Sequence, residues 1–478
     1  MIMPPTAPGQ CSTTLLDEAL KASALDEALR ALNELGPEGG LERFAASLDP
    51  DWIAEALSST GTASIRRRKL PADQALWLVI GMCLFTDRSI VNVVDHLNLV
   101  VPGVKKLAPS SIPKARYRLG PQPLRWLFEK IADVWGETPG LGGYRGLSMY
   151  GIDGTHLRVQ DTDENFAHFG KPGGRNGSSD AGYPQLRLVA LLNLSNRLLT
   201  DAEAGPWSKG EQTLVKPLTR QIPDHSLTIV DRGFYAYLWI NELLGEGTER
   251  HIMIRGKKNL TCEIVKVLPD GSALAHVRPC KALLKKHPEL KGQSILLRVI
   301  EYKHPGGEPG RLFVSLLDPD VYPAKELVVL YHERWELEIG FDEIKTHMLE
   351  RKECLRSKKP EGVYQEIWGQ LLVYNLVRRE MLLAAQAHGL PPKRISFRSS
   401  LLWIRNFWIT ASLTRSPGNL PKHLAELRST LDVLILPERR SQRRYPRHVK
   451  IKMSNYKRNR GKRNSPPTQP IDAKRENA

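Results

Sequence analysis

From residue 147 onward the chain alternates short apolar runs with longer amphipathic segments, and this alternation constrains its fold more than any other feature. The runs at Leu147–Ile152, Gln185–Leu194 and Leu227–Val230 have the length of strands, and a helical segment around Tyr235–Leu244 follows the third run. Strands that alternate with helices predict an α/β core. Between residues 251 and 317, short apolar runs alternate with Pro and Gly, which predicts a β-rich insert in that core.

The segment before residue 140 differs in character and predicts helices. Apolar positions recur at helical spacing in the segments 13–35, 50–60, 72–85 and 87–98. After a turn, a further segment opens with Ser110, Ser111 and an early proline, which is typical of a helix start. It carries Lys114, Arg116 and Arg118. A short helix, a turn and a basic helix favour a helix-turn-helix DNA-binding domain, although a surface helix of an ordinary bundle has the same periodicity.

The charge balance points to a polyanionic partner. The formal net charge is +17, and DNA, RNA and acidic membrane surfaces are all compatible with such a surplus. Residues 437–463 hold twelve Lys or Arg and one acid, which predicts a basic tail that does not pack into a core. The Gly-rich stretch 170–174 lacks the Gly-Lys-Ser/Thr ending of a phosphate-binding loop, so a nucleoside triphosphatase is not expected.

Membrane insertion and disulfide bonding are also not expected. The longest apolar run, Ala75–Phe85, has eleven residues, whereas a membrane span needs about 20. The N-terminus does not have the pattern of a signal peptide. Five cysteines are scattered along the chain and never spaced as CxxC, which favours neither a disulfide framework nor a zinc site. These features predict a soluble cytoplasmic protein.

Two aspartates directly follow apolar strand candidates. Asp153 follows Leu147–Ile152, and Asp231 follows Leu227–Val230. An acid that closes a buried strand is a common functional position in an α/β sheet. A purely structural interpretation stays open, because Asp153-Gly154 resembles a hairpin turn before a strand at Thr155–Val159, and Asp231 resembles the start of a strand-to-helix turn.

A third carboxylate lies on a long helix predicted over 324–352. Tyr331, Arg334, Glu338 and Lys345 follow one another at i, i+3, i+7 and i+14, so at about 100° per residue they fall within an arc of roughly 60°. The alternative is a solvated face that carries an Arg334–Glu338 ion pair. Carboxylates that converge from two strands and a helix would suit Mg²⁺ or Mn²⁺. Two such ions, about 3.5–4 Å apart, can activate an attacking oxygen and stabilise a leaving one.

These residues resemble a known family. Asp153, Asp231 and Glu338 are similar, in this order, to the DDE triad of ribonuclease H-like transposases, and Tyr-x2-Arg-x3-Glu-x6-Lys at 331–345 matches the signature of the insertion-sequence-four family. Three further stretches share the resemblance: GIDGTHLRVQDTDENFAHFG from residue 151, GYPQLRLVALL at 182–192, and VDRGFYAYLW around Asp231. The resemblance as a whole extends from about residue 50 to 455.

The resemblance implies an organisation for the chain. It implies an α/β class fold with a ribonuclease H-like catalytic core formed by 147–250 and 321–436. A β-rich insertion at 251–320 interrupts this core. A helical DNA-binding domain at 1–140 precedes it, and a basic tail at 437–478 follows it.

The resemblance also implies an activity and its residues. The enzyme would excise an insertion sequence and join it to a new site by a cut-and-paste route through a DNA hairpin, using two Mg²⁺ or Mn²⁺ ions. Asp153, Asp231 and Glu338 would be the catalytic metal ligands. The partners would be double-stranded DNA, as terminal inverted repeats and target, and a second protomer, in the bacterial cytoplasm at the nucleoid.

The same resemblance suggests DNA contacts. Tyr331, Arg334 and Lys345 correspond to residues that hold the DNA backbone. No Trp occurs between Trp239 and Trp335, so Trp335 is the candidate to stack on a flipped base, although a core-facing Trp335 is equally consistent. Two other functions stay open. One is a nuclease without strand transfer, and the other is a catalytically silent DNA-binding relative, which retention of all three carboxylates disfavours.

Overall fold

The computed structural model describes residues 49–63, 70–97, 107–136, 143–172, 182–257, 260–303, 309–350, 354–413 and 434–436. The helix predicted at 13–35 and the basic tail predicted at 437–478 lie outside these residues. The described helices are α1 (Pro50–Ser59), α2 (Ala72–Leu84), α3 (Ile90–His96), α4 (Ser111–Leu119), α5 (Gln122–Trp135), α6 (Asp163–Phe169), α7 (Glu211–Leu218), α8 (Tyr237–Gly245), α9 (Lys281–Lys286), α10 (Ala324–Leu330), α11 (Trp335–Asp342), α12 (Pro360–Ala387) and α13 (Phe397–Leu413). The described strands are β1 (Ser148–Arg158), β2 (Gln185–Asn193), β3 (Leu199–Pro206), β4 (Ser226–Val230), β5 (Arg250–Arg255), β6 (Glu263–Val267), β7 (Ala273–Val277), β8 (Ile295–Lys303) and β9 (Pro309–Val314).

These strands form one mixed sheet in the order β3-β2-β1-β4-β5-β9-β8-β7-β6. Strands β1, β2 and β3 are antiparallel neighbours, whereas β4 is parallel to both β1 and β5. Five strands in the order 3-2-1-4-5 with these directions form the ribonuclease H-like core, and this confirms the predicted fold class. Helices pack on both faces, so the core strands are buried on both sides.

Strand β1 differs from the prediction. The Asp153-Gly154 pair does not form a hairpin turn, because β1 runs without interruption from Ser148 to Arg158. Strand β2 pairs with it along this length, with Asp153 opposite Ala190. Strand β4 pairs only as far as Ile152. The second half of β1 therefore has an edge that is not paired with β4.

The β-rich insert extends the core sheet. Strand β9 pairs with β5, and β8, β7 and β6 follow outward. Strand β5 itself belongs to the core, so the boundary predicted at residue 251 cuts through a core strand. The strand order of the sheet shows where the core ends. The sequence of β5 alone does not show which strands lie beside it.

The N-terminal helices do not form a core of their own. Buried residues of α1, α2, α4 and α5 belong to the same apolar cluster as α12, α13 and one face of the sheet. The ring centroids of Trp77 and Trp408 lie 5.3 Å apart, and those of Phe128 and Trp368 lie 5.6 Å apart. The segment predicted as a separate domain at 1–140 is thus packed into the catalytic core over its described residues.

The long helix predicted over 324–352 is helical but irregular. A 3₁₀ turn at Tyr331–Arg334 separates α10 from α11, and a π-helical segment at Glu343–Met348 follows α11. The side chain of Glu343 is buried, accepts from Arg378 of α12 and lies 3.6 Å from Arg197 Nη1. These ion pairs lie where the helix widens, and π-helical segments frequently occur at functional sites.

Candidate active site

Asp153 and Asp231 occupy adjacent positions on neighbouring strands, Asp153 within β1 and Asp231 directly after β4. In the parallel pair β1 and β4, Ile152 is in register with Val230, so the two aspartates are the next residues on adjacent strands. Neighbouring strands lie about 4.8 Å apart. Asp231 follows the end of β4, as predicted, whereas Asp153 lies within β1. The sheet register brings these carboxylates together at the open edge.

Glu338 of α11 is connected to the same region by the side chain of Arg334. Arg334 Nη2 donates to Glu338 Oε1 at 2.8 Å, and Arg334 Nη1 lies 3.7 Å from Asp153 Oδ2. The predicted Arg334–Glu338 pair is therefore present, with Glu338 partly exposed and Arg334 half-buried against Asp153 of β1. Arg334 bridges the carboxylates of β1 and α11.

Burial and the nearby charged groups shift the pKa of Asp153. The pKa of the Asp153 carboxyl is raised to about 6, mainly by burial and with smaller contributions from the charges of Glu338 and Asp231. The backbone N–H of Gly154 donates to Asp153 Oδ1 at 2.8 Å and, together with Arg334, lowers that pKa. A carboxylate in this environment gains from any cation that approaches it.

The donor chemistry fits a hard divalent cation, since the nearby ligating groups are carboxylate oxygens. Within the described ranges, no three Asp, Glu, His or Cys side chains are close enough together to hold an ion as they stand. Arg334 lies between two of these acids, 3.7 Å from Asp153 Oδ2 and 2.8 Å from Glu338 Oε1. A cation held by both carboxylates would compete with that guanidinium.

Lys345 lies beside the same strand. Its Nζ donates to the hydroxyl of Thr155, which is two residues after Asp153 on β1 and therefore on the same face. Burial lowers the pKa of the Lys345 ammonium, while Asp342 and Asp153 raise it. The predicted spacing thus brings Lys345 to the carboxylates, although a π-helical segment intervenes.

Two aromatic residues of the signature segment have opposite environments. Tyr331 is buried, its pKa is raised by burial and by the charge of Asp231, and its hydroxyl has no hydrogen-bond partner among the described residues. Trp335 is 44% exposed, with the Arg334 guanidinium 5.7 Å from its ring centroid. The core-facing interpretation of Trp335 is therefore wrong, and its indole is accessible.

Of the basic residues predicted on α4, one does not fit a DNA contact. Arg116 is 4% exposed and donates to Gln365, Ser357 and the carbonyl of Gly362. These bonds connect α4 to α12 and to the loop before it, so Arg116 stabilises the packing of α4 against α12. Lys114 and Arg118 lie on the exposed side of the helix. Helical periodicity places Arg116 on the face of Ile112 and Ala115, which is the buried face.

Sequence reasoning missed two features of the site. Glu211, at the start of α7, lies against Gly154, and the glycines that follow both aspartates are the sequence signal that could have indicated it. The second feature is the ion-pair group around Glu343, which ties the helical segment of Glu338 to Arg378 and Arg197. No local pattern marks those partners, because they lie on separate elements.

Comparison with known proteins agrees with this architecture. Residues 38–129 match the family described as insertion element 4 transposase N-terminal, and residues 147–376 match the transposase DDE domain. Transposase InsG for insertion sequence element IS4 of Escherichia coli (strain K12) is 35% identical over 405 residues, which cover 84% of this chain and 90% of InsG. Putative transposase InsZ of the same strain is 32% identical over 237 residues, covering 49% of this chain and 77% of InsZ.

A solved structure of piggyBac transposase, in a synaptic complex with hairpin DNA, aligns with 84% of this chain and 86% of its own. The TM-score is 0.44 and the identity 12%, a likeness too distant to support an argument. Among the helices that the structure describes, none is both long enough and apolar enough to cross a membrane.

A ribonuclease H-like sheet that carries aspartates on β1 and after β4, with a glutamate on a following helix, defines the class of DDE transposases, which are DNA-binding, metal-dependent enzymes. Within that class, the two family matches and the similarity to InsG identify one family. The chain belongs to the insertion element 4 (IS4) family of transposases.

Proposed function

We propose that this transposase excises and reinserts an insertion sequence by a cut-and-paste route in which Asp153, Asp231 and Glu338 hold two Mg²⁺ or Mn²⁺ ions. The observation that carries this proposal is the register of β1 and β4, which sets the two aspartates next to each other with Glu338 and Arg334 over them. Paired divalent ions would activate the attacking oxygen and stabilise the leaving one.

The side chains around the ions have separate proposed roles. Asp153 and Asp231, which the sheet fixes in place, would hold the ions, and the ions would supply charge stabilisation at the reacting phosphate. With the carboxylates so engaged, Arg334 would be free to pair with a phosphate, for which its planar fork is suited. Lys345, held beside Asp153 by Thr155, neutralises a second phosphate oxygen near the scissile bond.

Other side chains are proposed to hold DNA around this centre. The buried Tyr331 hydroxyl lacks a partner among the described residues, which supports its use on a backbone phosphate. The exposed indole of Trp335 supports stacking on a base displaced during hairpin formation. Lys114 and Arg118 are proposed contacts to the terminal inverted repeats. Two protomers hold two ends and the target DNA at the nucleoid of the bacterial cytoplasm.

Alanine substitution of the triad tests the assignment. Asp153→Ala, Asp231→Ala and Glu338→Ala should each abolish cleavage of an end-containing DNA duplex in Mg²⁺, because each removes a metal ligand, while binding to that duplex stays within a few-fold of the parent. Asp320→Ala, an exposed acid away from the triad, is the control. Near-parental cleavage by any triad variant would remove that residue from the assignment.

The nuclease alternative is tested on the parent enzyme itself. A transposase yields products in which the freed 3′ end is joined to the opposite strand or to target DNA. Linear cleavage products without any joined species would favour the nuclease. Failure to cleave at all, with end binding intact, would favour the silent DNA-binding relative.

A further inference from the structure

Arg197 connects two separate turns of the helical segment that carries Glu338 and Lys345. Its Nε donates to Glu336 of α11, and its Nη1 lies 3.6 Å from Glu343 Oε1 in the π-helical segment. These three side chains are largely buried, with 8% of Arg197, 15% of Glu336 and 10% of Glu343 exposed. One guanidinium therefore holds the helical segment both before and after the point at which it widens.

The two glutamates lie on the side of this segment opposite to Glu338 and Lys345. Each precedes one of those residues by two positions, Glu336 before Glu338 and Glu343 before Lys345. At about 100° per residue, two positions turn an α-helix by roughly 200°, and somewhat less in the wider π-helical turn. The contacts agree, because both glutamates pair with Arg197, whereas Lys345 donates to a side chain of β1. A rotation that displaced the glutamates would displace Glu338 and Lys345 as well.

Glu343 stabilises the widened turn from behind. The N–H of Leu349 donates to the carbonyl of Ile344 at 2.9 Å, five residues earlier, which is the π-helical spacing. Glu343 also accepts from Arg378 of α12. Since a buried carboxylate is stable only when it is paired, its cationic partners fix Glu343 in place, and with it the turn that carries Lys345.

The β2–β3 turn holds Arg197 in an unusual backbone conformation. Its φ is 60°, in the left-handed region that residues with a Cβ atom rarely adopt. The N–H of Arg197 donates to the carbonyl of Asn193 at 2.8 Å, and the side chain of Asn196 accepts from the N–H of Leu198 at 2.8 Å. Such a conformation persists only where the surrounding structure holds it. Here the side chain that it presents is buried against the helical segment.

The link between the two glutamates depends on arginine. A guanidinium offers five N–H donors in a planar fork and can serve two carboxylates at once, whereas the ammonium of lysine is a single point charge. Glu336 has a second partner in Lys393, whose Nζ lies 3.7 Å from Glu336 Oε1, and Glu343 has Arg378. Without Arg197 each glutamate thus keeps one cation, but the connection between the two turns is lost.

We infer that Arg197 is a positioning residue of this transposase, which fixes the rotation of the helical segment so that Glu338 and Lys345 face β1 together. The inference rests on the proposed function, in which Glu338 holds a metal ion and Lys345 neutralises a phosphate oxygen. Arg197 acts through these two side chains and not on the DNA itself.

Single-turnover cleavage of an end-containing duplex in Mg²⁺, at saturating protein, separates positioning from binding. Arg197→Gln should lower the cleavage rate about 10- to 100-fold, the usual effect of losing a supporting residue around a metal site. The dissociation constant for the duplex should stay within a few-fold of the parent. Arg197→Lys, which keeps the charge but pairs with only one glutamate, should have an intermediate rate.

Glu343→Gln should lower the rate in the same direction, and Glu366→Gln is its matched control. Glu366 is a buried glutamate of α12 that accepts from the backbone N–H groups of Arg356 and Ser357. Because these bonds do not involve the helical segment of Glu338, Glu366→Gln should cleave at the parental rate. Melting temperatures in EDTA verify that each variant is folded.

A double-mutant cycle between Glu343→Gln and Lys345→Ala distinguishes positioning from a contribution to folding. If Glu343 acts by placing Lys345, Glu343→Gln should change the rate by less than about twofold once Lys345 is replaced by alanine, because the two effects are then coupled. A contribution to folding alone would give the same fold reduction in both backgrounds.

A slower rate in Arg197→Gln with parental DNA binding, together with coupling in the cycle, supports the inference. A parental rate in Arg197→Gln, with a loss in Lys345→Ala, would overturn the inference and leave the proposed function standing. Equal fold reductions by Glu343→Gln in both backgrounds would also overturn it. Parental cleavage by Lys345→Ala would contradict the proposed role of Lys345 and remove the inference with it. If Arg197→Gln does not fold, Arg197→Lys is judged by the same criteria.

Discussion

The guanidinium of Arg334 lies 3.7 Å from the carboxylate of Asp153, in the space where a metal ligand of β1 and one of α11 would share a cation. Its second terminal nitrogen donates to Glu338. On the proposed function, a divalent ion held by both carboxylates would compete with Arg334 for the same oxygens. We therefore expect metal binding and phosphate binding to be linked through this one side chain.

Replacing Arg334 should separate these two effects. Arg334→Gln removes the competing charge, so Mn²⁺ should bind the DNA-free protein more tightly, by up to roughly tenfold, or ~1.4 kcal/mol. Binding to the terminal DNA should weaken at the same time. Calorimetry with Mn²⁺ and titration with end DNA measure the two quantities, and Arg220→Gln, an exposed arginine, is the control. Weaker Mn²⁺ binding by Arg334→Gln would contradict the competition.

Arg116 should matter for stability. Arg116→Met removes the hydrogen bonds to Gln365, Ser357 and the carbonyl of Gly362 in a buried region, although Ser357 Oγ keeps its bond to Glu366. We expect the free energy of unfolding to fall by roughly 2–4 kcal/mol. Urea unfolding measures the loss. Arg118→Met, on the exposed side of the same helix, should change stability by less than about 0.5 kcal/mol. Equal effects of the two substitutions would remove the packing role of Arg116.

Lys114 and Arg118 should act on DNA. The double variant Lys114→Ala, Arg118→Ala should weaken binding to the terminal repeats and lower the salt dependence by about 0.9 in the log–log slope for each phosphate that it no longer neutralises. A truncation at Gly142 would not test this, because the helices before residue 136 share their core with α12 and their removal would expose it. Unchanged affinity and slope in the double variant would place end recognition elsewhere.

Asp201 should make stability depend on pH. The pKa of the carboxyl of this β3 residue is raised to about 7, mainly by burial and with smaller contributions from the charges of Glu203 and Glu129. The folded chain therefore holds a proton that the unfolded chain releases near pH 4, so the free energy of unfolding falls as the pH rises from about 4 to 7. Asp201→Asn removes this loss and should stabilise the protein at pH 8 by up to about 4 kcal/mol, at ~1.4 kcal/mol per pH unit.

Urea unfolding of the parent and of Asp201→Asn at pH 5 and pH 8 measures the difference. The gap between them should be larger at pH 8 than at pH 5 by roughly 2–3 kcal/mol, and Asp320→Asn, an exposed acid, should show no such trend. A gap that is independent of pH would mean that Asp201 is ionised in the folded chain at both values.

The basic tail should contribute affinity without specificity. Residues 437–463 carry a net charge of +11, from twelve basic residues and Glu438. Removal of 437–478 should weaken DNA binding and flatten its salt dependence, while the preference for terminal over random DNA stays the same, since phosphate contacts carry no sequence information. Titrations of both proteins across a salt series measure the slopes. Identical slopes would mean that the tail does not contact DNA.

Much of the site could be predicted because its residues are marked locally. An acid after a short apolar run, as at Asp231, and a polar stripe at helical spacing, as at Arg334 and Glu338, are visible in the chain itself. The strand–helix alternation likewise predicted the core. Where such local patterns admitted two structures, the prediction was incomplete: the Asp153-Gly154 pair fits a turn and an open-edged strand equally well.

The residues that carry the proposed chemistry could be recognised from the amino-acid sequence, because the order Asp153, Asp231, Glu338 and the Tyr-Arg-Glu-Lys spacing depend only on positions along the chain. Tertiary structure was needed to show that Arg116 is buried, that Arg334 bridges Asp153 and Glu338, and that Glu211 lies against Gly154. The physical reason is that burial, ion pairing and steric room depend on which elements pack together. Those partners are up to 249 residues apart along the chain, as for Arg116 and Gln365, and only the packed sheet and helices bring them into contact.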